Sequence, residues 1–243
     1  MTKFLLLLSL LCSSLEARQF NSRDIGLVGG WHLNEGSGVD VFDASQYSTT
    51  ATITNAMWVG GKWGTALFVD GNGDDFHTGT NPPALDITTN QITLAAWVKA
   101  QPTVPNYGRI ITKHCCATHT SPYLRYNLCW NYGGNGKPGF ALSIGGVLKE
   151  LVAASVTTSG KWYFLVGTYD GAIMKIWING IFDNSMAASG NIDTSIYPVY
   201  IGQNPYNSED FAGIIDDPQI YSRTWSKGEI EYYYREGRAS HGD

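Results

Sequence analysis

The sequence predicts an all-β protein, a two-sheet antiparallel sandwich closed by one short helix at its C-terminal end. Three observations carry this. Apolar residues alternate along short segments, these segments are separated by glycine- and asparagine-rich turns, and no strand–helix–strand rhythm runs through the chain. Composition agrees, with 28 glycines, 14 tyrosines, 8 tryptophans and only 15% charged residues. Helical proteins carry more alanine, glutamate, lysine and leucine.

The elements follow in order. Ile92, Leu94, Ala96 and Val98 share one face of a strand, with Thr93, Ala95 and Trp97 on the other. Residues 162–169 alternate throughout, Trp162, Phe164, Val166 and Thr168 lying on one side. The stretch from Lys175 reaches Asn179-Gly180 and leaves through Ile181-Phe182, a hairpin signal because both turn positions need positive φ. Weaker alternation predicts strands at 27–33, 66–69, 110–113, 125–130, 140–144, 199–201 and 213–221. One helix is predicted at the end: Ser226 and Glu229 have capping-box spacing, Ile230, Tyr233 and Tyr234 share a face, and Gly237 is placed to end it.

The N-terminal segment reads as an export signal. Lys3 precedes the apolar run from Phe4 to Leu11, and small or polar residues lead to Ala17, with Arg18 and Gln19 beyond. That is the charge order of a secretory signal peptide over residues 1–17, which leaves residues 18–243 as a single domain. The run is shorter than the roughly 20 residues that span a bilayer, so a secreted, soluble chain is expected and no membrane insertion. The formal charge of −5 argues against nucleic acid as partner. No Asn-x-Ser/Thr acceptor occurs.

The segments Trp31-His32-Leu33-Asn34-Glu35-Gly36-Ser37-Gly38, Asp43-Ala44-Ser45, Gly64-Thr65-Ala66-Leu67-Phe68-Val69-Asp70-Gly71, Ile92-Thr93-Leu94-Ala95-Ala96-Trp97-Val98 and Ile176-Trp177-Ile178-Asn179-Gly180 occur in one order. Phe211-Ala212-Gly213-Ile214-Ile215-Asp216-Asp217 and Ile220-Tyr221-Ser222-Arg223 then close the series. Together they resemble the laminin-G-like jelly roll of the concanavalin A-like lectin and glucanase group, over residues 27–237. The resemblance implies a jelly-roll sandwich and says much less about function, because sites are grafted onto folds. Pro218 departs from the pattern, which usually has an apolar β-branched residue there. Proline donates no ladder hydrogen bond, so the strand should lie at an edge or bend.

Three constellations are candidates for chemistry. Glu35, Asp43 and Ser45 lie near the start and Asp216 and Asp217 on the last strand, and first and last strands of a jelly roll are neighbours. Calcium takes six to eight oxygen ligands, and the resemblance implies a structural calcium at this junction, with Glu35, Asp43, Ser45 and Asp216 as ligands. Asp43 and Ser45 equally suit turn bonds to nearby amides. A second acidic run, Asp70, Asp74 and Asp75, lacks the EF-hand spacing and reads as a polar turn. The second constellation is His114, Cys115, Cys116, His119 and Cys129. In an exported chain this favours a disulfide over zinc, from Cys129 to Cys115 or Cys116, with Cys116 taken as the partner and one thiol left over.

The third is a sugar platform. Tyr107, Tyr123, Tyr126, Trp130 and Tyr132 are interleaved with Asn106, Asn127, Asn131 and Asn135, and sugars stack their C–H faces on aromatic rings while amides meet their hydroxyls. Trp130, Tyr132, Tyr107 and Asn131 are the expected ligand residues. Trp31, Trp97, Trp162 and Trp177 belong to the core. No Glu-x-Asp-x-x-Glu strand of the related glucanases occurs, and no nucleophile elbow or phosphate loop. The expected function is a secreted, non-catalytic carbohydrate-binding or adhesion module whose partner is an extracellular polysaccharide or glycoprotein. The alternatives are a hydrolase or lyase on the same fold, and a structural surface protein assembling through its odd cysteine.

Overall fold

The computed structural model describes residues 25–114 and 121–241, with side chains through Glu236. The signal segment 1–17, Cys115, Cys116 and His119 lie outside the described residues. In chain order the strands begin with β1 (Leu27–Gly30), β2 (Asp40–Val41), β3 (Ala51–Thr54), β4 (Met57–Gly60), β5 (Thr65–Asp70) and β6 (Asp75–His77). They continue with β7 (Ile92–Ala100), β8 (Arg109–His114), β9 (Leu124–Cys129), β10 (Gly139–Ile144) and β11 (Val147–Val152). The last are β12 (Trp162–Tyr169), β13 (Ile173–Ile178), β14 (Ile181–Ala187), β15 (Val199–Ile201) and β16 (Ala212–Tyr221), followed by the helix α1 (Lys227–His241).

These strands form two 8-stranded sheets. The first runs β14-β13-β12-β7-β16-β5-β4, with β1 also pairing to β16, and the second runs β11-β10-β9-β8-β15-β6-β3-β2. The strand ladders are antiparallel, and the whole is the jelly-roll sandwich that the motifs implied.

Alternation decides what each face buries. Leu94, Ala96 and Val98 of β7, with Leu165, Ile176 and Ile215, meet Ile110, Tyr126, Leu128, Phe140 and Leu142 of the second sheet in the central core. The opposite face of β7 is also dry. Ala95 and Trp97 join Phe164, Val166, Trp177, Tyr221, Trp225 and Ile230 in a second cluster on the outside of the first sheet. The helix α1 covers that cluster, with Trp225 stacked on Tyr233 at 4.4 Å and Trp97 on Tyr234 at 5.7 Å between centroids. The Asn179-Gly180 turn joins β13 to β14 with φ of 53° and 78°.

Ser226 caps the helix as its spacing predicts. The Glu229 N–H donates to Ser226 Oγ at 3.3 Å, and Glu229 Oε2 accepts the Ser226 N–H at 2.8 Å. Ser226→Ala is expected to cost about 1 kcal/mol and to lower the melting temperature by roughly 2–4 °C. An unchanged thermal transition would remove the cap from the account. The helix does not stop at Gly237 but continues to His241, because glycine permits a helix end without forcing one and no proline follows.

Pro218 is accommodated by bending rather than by an edge. β16 is central, with β7 along one side and β5 then β1 along the other. The register shifts between Asp216 and Gln219, and Asp217 adopts a φ of 48°. The missing donor of Pro218 thus falls within a bulge.

Candidate functional site

The bulge in β16 builds a site. β5 pairs with residues 212–215 of β16, and β1 pairs with residues 219–221. The strand therefore changes partner across Asp216, Asp217 and Pro218. Asp216 lies opposite Trp97 on the face covered by α1. Its Oδ2 accepts the backbone N–H groups of Lys62 at 2.6 Å and Trp63 at 2.8 Å, which ties the turn between β4 and β5 to the bulge. The close approach requires glycine at 61, where a Cβ would lie 2.7 Å from Asp216 Oδ2 and 2.8 Å from the Thr65 carbonyl oxygen.

So held, Trp63 lies edge-on to Trp97 at 5.9 Å and forms one wall of a cleft of about 370 Å³, with Tyr233 of α1 as the other aromatic. His32, Asn34, Gln219, Asp217 and Glu236 supply polar groups to the same cleft. His32 Nδ1 is 2.7 Å from Asp217 Oδ1, and Gln219 Nε2 donates to Asp217 Oδ2. Trp63 and Tyr233 remain partly exposed, while Asp217 and Gln219 are buried. An apolar floor with a few fixed polar groups is the make-up of a small-molecule site.

Burial pushes the Asp216 carboxyl up to about 7, the neighbouring Asp217 charge adding to the effect and the Trp63 and Lys62 N–H groups opposing it. Burial also raises Asp217, against the pull of His32 and Gln219. The ordinary value for Asp216 is 3.8. Below it the group is protonated in both states. Between it and about 7 the unfolded chain releases the proton and the folded chain keeps it. Asp216 therefore withdraws stability as pH rises through this window, by a few kcal/mol in order of magnitude. Asp216→Asn is expected to flatten the fall in melting temperature between mildly acidic and mildly alkaline buffer. Parallel profiles for the two proteins would contradict this.

The residues expected to bind sugar fare differently. Trp130 is a core residue, 3% exposed, with its ring edge-on to Tyr163 at 5.6 Å and Phe211 at 6.3 Å. It extends the inward alternation of Tyr126 and Leu128 past the end of β9, so the ligand role is corrected. Asn131, at φ 53°, spends its amide on the loop: Nδ2 donates to the Val104 carbonyl at 3.1 Å and Oδ1 accepts the Gly136 N–H at 2.8 Å. Tyr107 and Tyr132 are brought together, edge to face at 4.9 Å and partly exposed, with the Tyr132 hydroxyl on Glu150.

The calcium set does not assemble. Asp43 Oδ1 accepts the N–H groups of Gly30 and Ser45, and Oδ2 accepts the Thr49 N–H and the Ser45 hydroxyl. Glu35 Oε1 accepts the Phe42 N–H, and Asp216 serves the Trp63 turn. Among the described residues no three His, Cys, Asp or Glu are placed to hold a metal ion. These residues do not fit calcium. Asp43 and Ser45 are turn formers, and the Asp70–Asp74 run is likewise a polar turn, with Asp70 Oδ1 accepting the Asn72 N–H and Asp74 Oδ2 the Asp70 N–H.

The expected Cys116–Cys129 bridge is also not formed at its described end. Cys129 is a free, buried thiol whose pKa burial raises to about 11. Cys129 pairs with Arg109 at one end of the β8–β9 hairpin, and Cys116 lies outside the described residues.

Trp63, Tyr233 and His32 were the site residues that sequence reasoning passed over. Their signal was present in Gly61-Lys62-Trp63-Gly64, a tryptophan in a glycine-framed turn, where a rigid scaffold displays side chains.

Comparison with known proteins bears on the same architecture. No curated protein matches the chain in sequence. Among solved structures, the binding domain of Paraclostridial Mosquitocidal Protein 1 superposes with a TM-score of 0.69 at 13% identity, covering 87% of this chain and 52% of that one. Domain 4 of AbnA, an extracellular arabinanase from Geobacillus stearothermophilus solved with arabinotriose, gives 0.65 at 17% identity, covering 85% and 97%. The botulinum neurotoxin serotype D ligand binding domain, solved with N-acetylneuraminic acid, gives 0.66 at 18%, covering 88% and 51%. The chain thus spans about half the length of these toxin domains and nearly all of the arabinanase domain. A family model described as the concanavalin A-like lectin/glucanases superfamily matches residues 70–231. That match takes in β6 to β15 and reaches from the last residue of β5 through β16 into α1, and with the two-sheet topology it places the chain in the concanavalin A-like lectin/glucanases superfamily.

Proposed function

We propose that this chain is an extracellular carbohydrate-binding module that seats a sugar in the cleft at the β16 bulge. The observation that carries the reading is the convergence of Trp63 and Tyr233 with His32, Asn34 and Gln219 on one cleft of about 370 Å³. A pyranose or furanose ring presents C–H faces to the rings and hydroxyls to the imidazole and amides. Support comes from the fold neighbours solved with arabinotriose and N-acetylneuraminic acid, and export is supported by the signal-like residues 1–17. Binding without turnover is favoured because the neighbours are binding domains rather than catalytic ones. A glycan array, paired with reducing-end and unsaturated-product assays on the glycans that bind, tests the proposal. Binding without product supports it; product release, or failure to bind any glycan, overturns it.

A further inference from the structure

Trp63 sits on a turn built mostly of glycine. Residues 60–64 read Gly-Gly-Lys-Trp-Gly, and β4, which leads into them, is an edge strand. Glycine widens the conformations open to a turn, and within this one the Gly61 N–H donates to the Gly64 carbonyl at 3.1 Å. A further anchor comes from another strand. The backbone N–H groups of Lys62 and Trp63 converge on Asp216 Oδ2, at 2.6 and 2.8 Å.

Asp216 is fully buried and is not among the residues that line the cleft. For stability it is a poor choice. Burial beside Asp217 raises its pKa to about 7, which withdraws stability as pH rises past the ordinary carboxylate range. For holding a turn it is a good one. A single oxygen that accepts two N–H groups serves best when charged, because charge-assisted hydrogen bonds are about twice as strong as neutral ones. The turn is shaped to receive it: glycine at 61 leaves free the space that a Cβ, 2.7 Å from Asp216 Oδ2, would take. A group that costs stability and fixes a cleft wall is accounted for by the wall. We propose, resting on the carbohydrate reading above, that Asp216 is a positioning residue. It does not meet the sugar; its hydrogen bonds set the place of Trp63 and thereby the affinity of the cleft.

Proton–nitrogen correlation spectra of the ligand-free chain test this. The indole resonance of Trp63 is the one missing from Trp63→Phe. In the parent it is expected to move, together with the Trp63 backbone amide, as Asp216 titrates at about 7. In Asp216→Asn both should start displaced and lose that movement. His32, Asp217, Tyr233, Glu236 and Lys62 also face this region, and whatever movement survives in the variant is theirs. Gly61→Ala, which forces the turn off the carboxylate, should displace the same resonances. The tightest-binding oligosaccharide from the array should bind Asp216→Asn roughly tenfold more weakly, the size of exchanging a charge-assisted bond for a neutral one. The melting temperature should not fall in parallel. Identical titrations in parent and variant, or an amide that titrates while the indole stays still, overturn the proposal. So do unchanged affinity in Asp216→Asn and a loss of affinity matched by a collapsed melting temperature. If no glycan binds, the carbohydrate reading fails, and the resonances alone decide this one.

Discussion

Trp63→Ala is expected to weaken glycan binding by about thirtyfold, while the chain stays folded at ambient temperature. The size follows from what an anchoring tryptophan contributes to a contact patch, ~2 kcal/mol or more. Trp63 is one wall of the cleft and remains partly exposed, so its loss removes ligand contact. The stability cost should be smaller, because the ring is only partly buried where it packs against the outer cluster, edge-on to Trp97 at 5.9 Å, and such pairs contribute ~1 kcal/mol. Trp63→Phe should recover part of the affinity. A variant that melts far lower yet binds as well as the parent would show that Trp63 is packing and that the ligand lies elsewhere.

Trp130→Ala should behave in the opposite way. Its side chain is 3% exposed within the central core, between Tyr163 and Phe211. Truncation leaves a cavity and is expected to cost 3–5 kcal/mol, within the range of ~3–5 for tryptophan or phenylalanine to alanine, or a fall of about 10 °C or more in melting temperature. Below its melting transition the variant should retain its glycan affinity. A loss of affinity with an unchanged melting temperature would return Trp130 to the binding site.

The pair of variants shows what was legible in the sequence. Wherever a strand is flanked on both faces, alternation alone locates it, as in β7, where Leu94 and Ala96 meet the other sheet and Trp97 meets the helix. The strands that sequence reasoning missed, β2, β3, β4, β6 and β11, are mostly short. β2 has 2 residues and β6 has 3, too few for a period to show, and β11 carries Lys149 and Glu150 side by side. Trp130 was legible too, since Tyr126, Leu128 and Trp130 lie two apart on one strand face; the glycines after it drew the reading toward a loop. Tyr107 and Tyr132, also named as ligand residues, lie edge to face at 4.9 Å.

The cleft itself was hidden for a different reason. Its parts come from His32, Trp63, Asp217 and Tyr233, separated along the whole chain, and no local pattern connects them. What assembles them is the bulge at Pro218, read from the sequence as a likeness broken at one position, together with a capped helix laid over the first sheet. Asp216 and Asp43 were both read as metal ligands because their residue type and position suited calcium. The structure gives their oxygens to backbone amides instead, a choice that spacing alone does not reveal.

The most direct measurement is a crystal structure of the chain with the tightest-binding oligosaccharide from the array. A sugar ring is expected between Trp63 and Tyr233, with hydroxyls on His32, Asn34 and Gln219. A sugar seated on Tyr107 and Tyr132, or anywhere else with the β16 cleft empty, would contradict it.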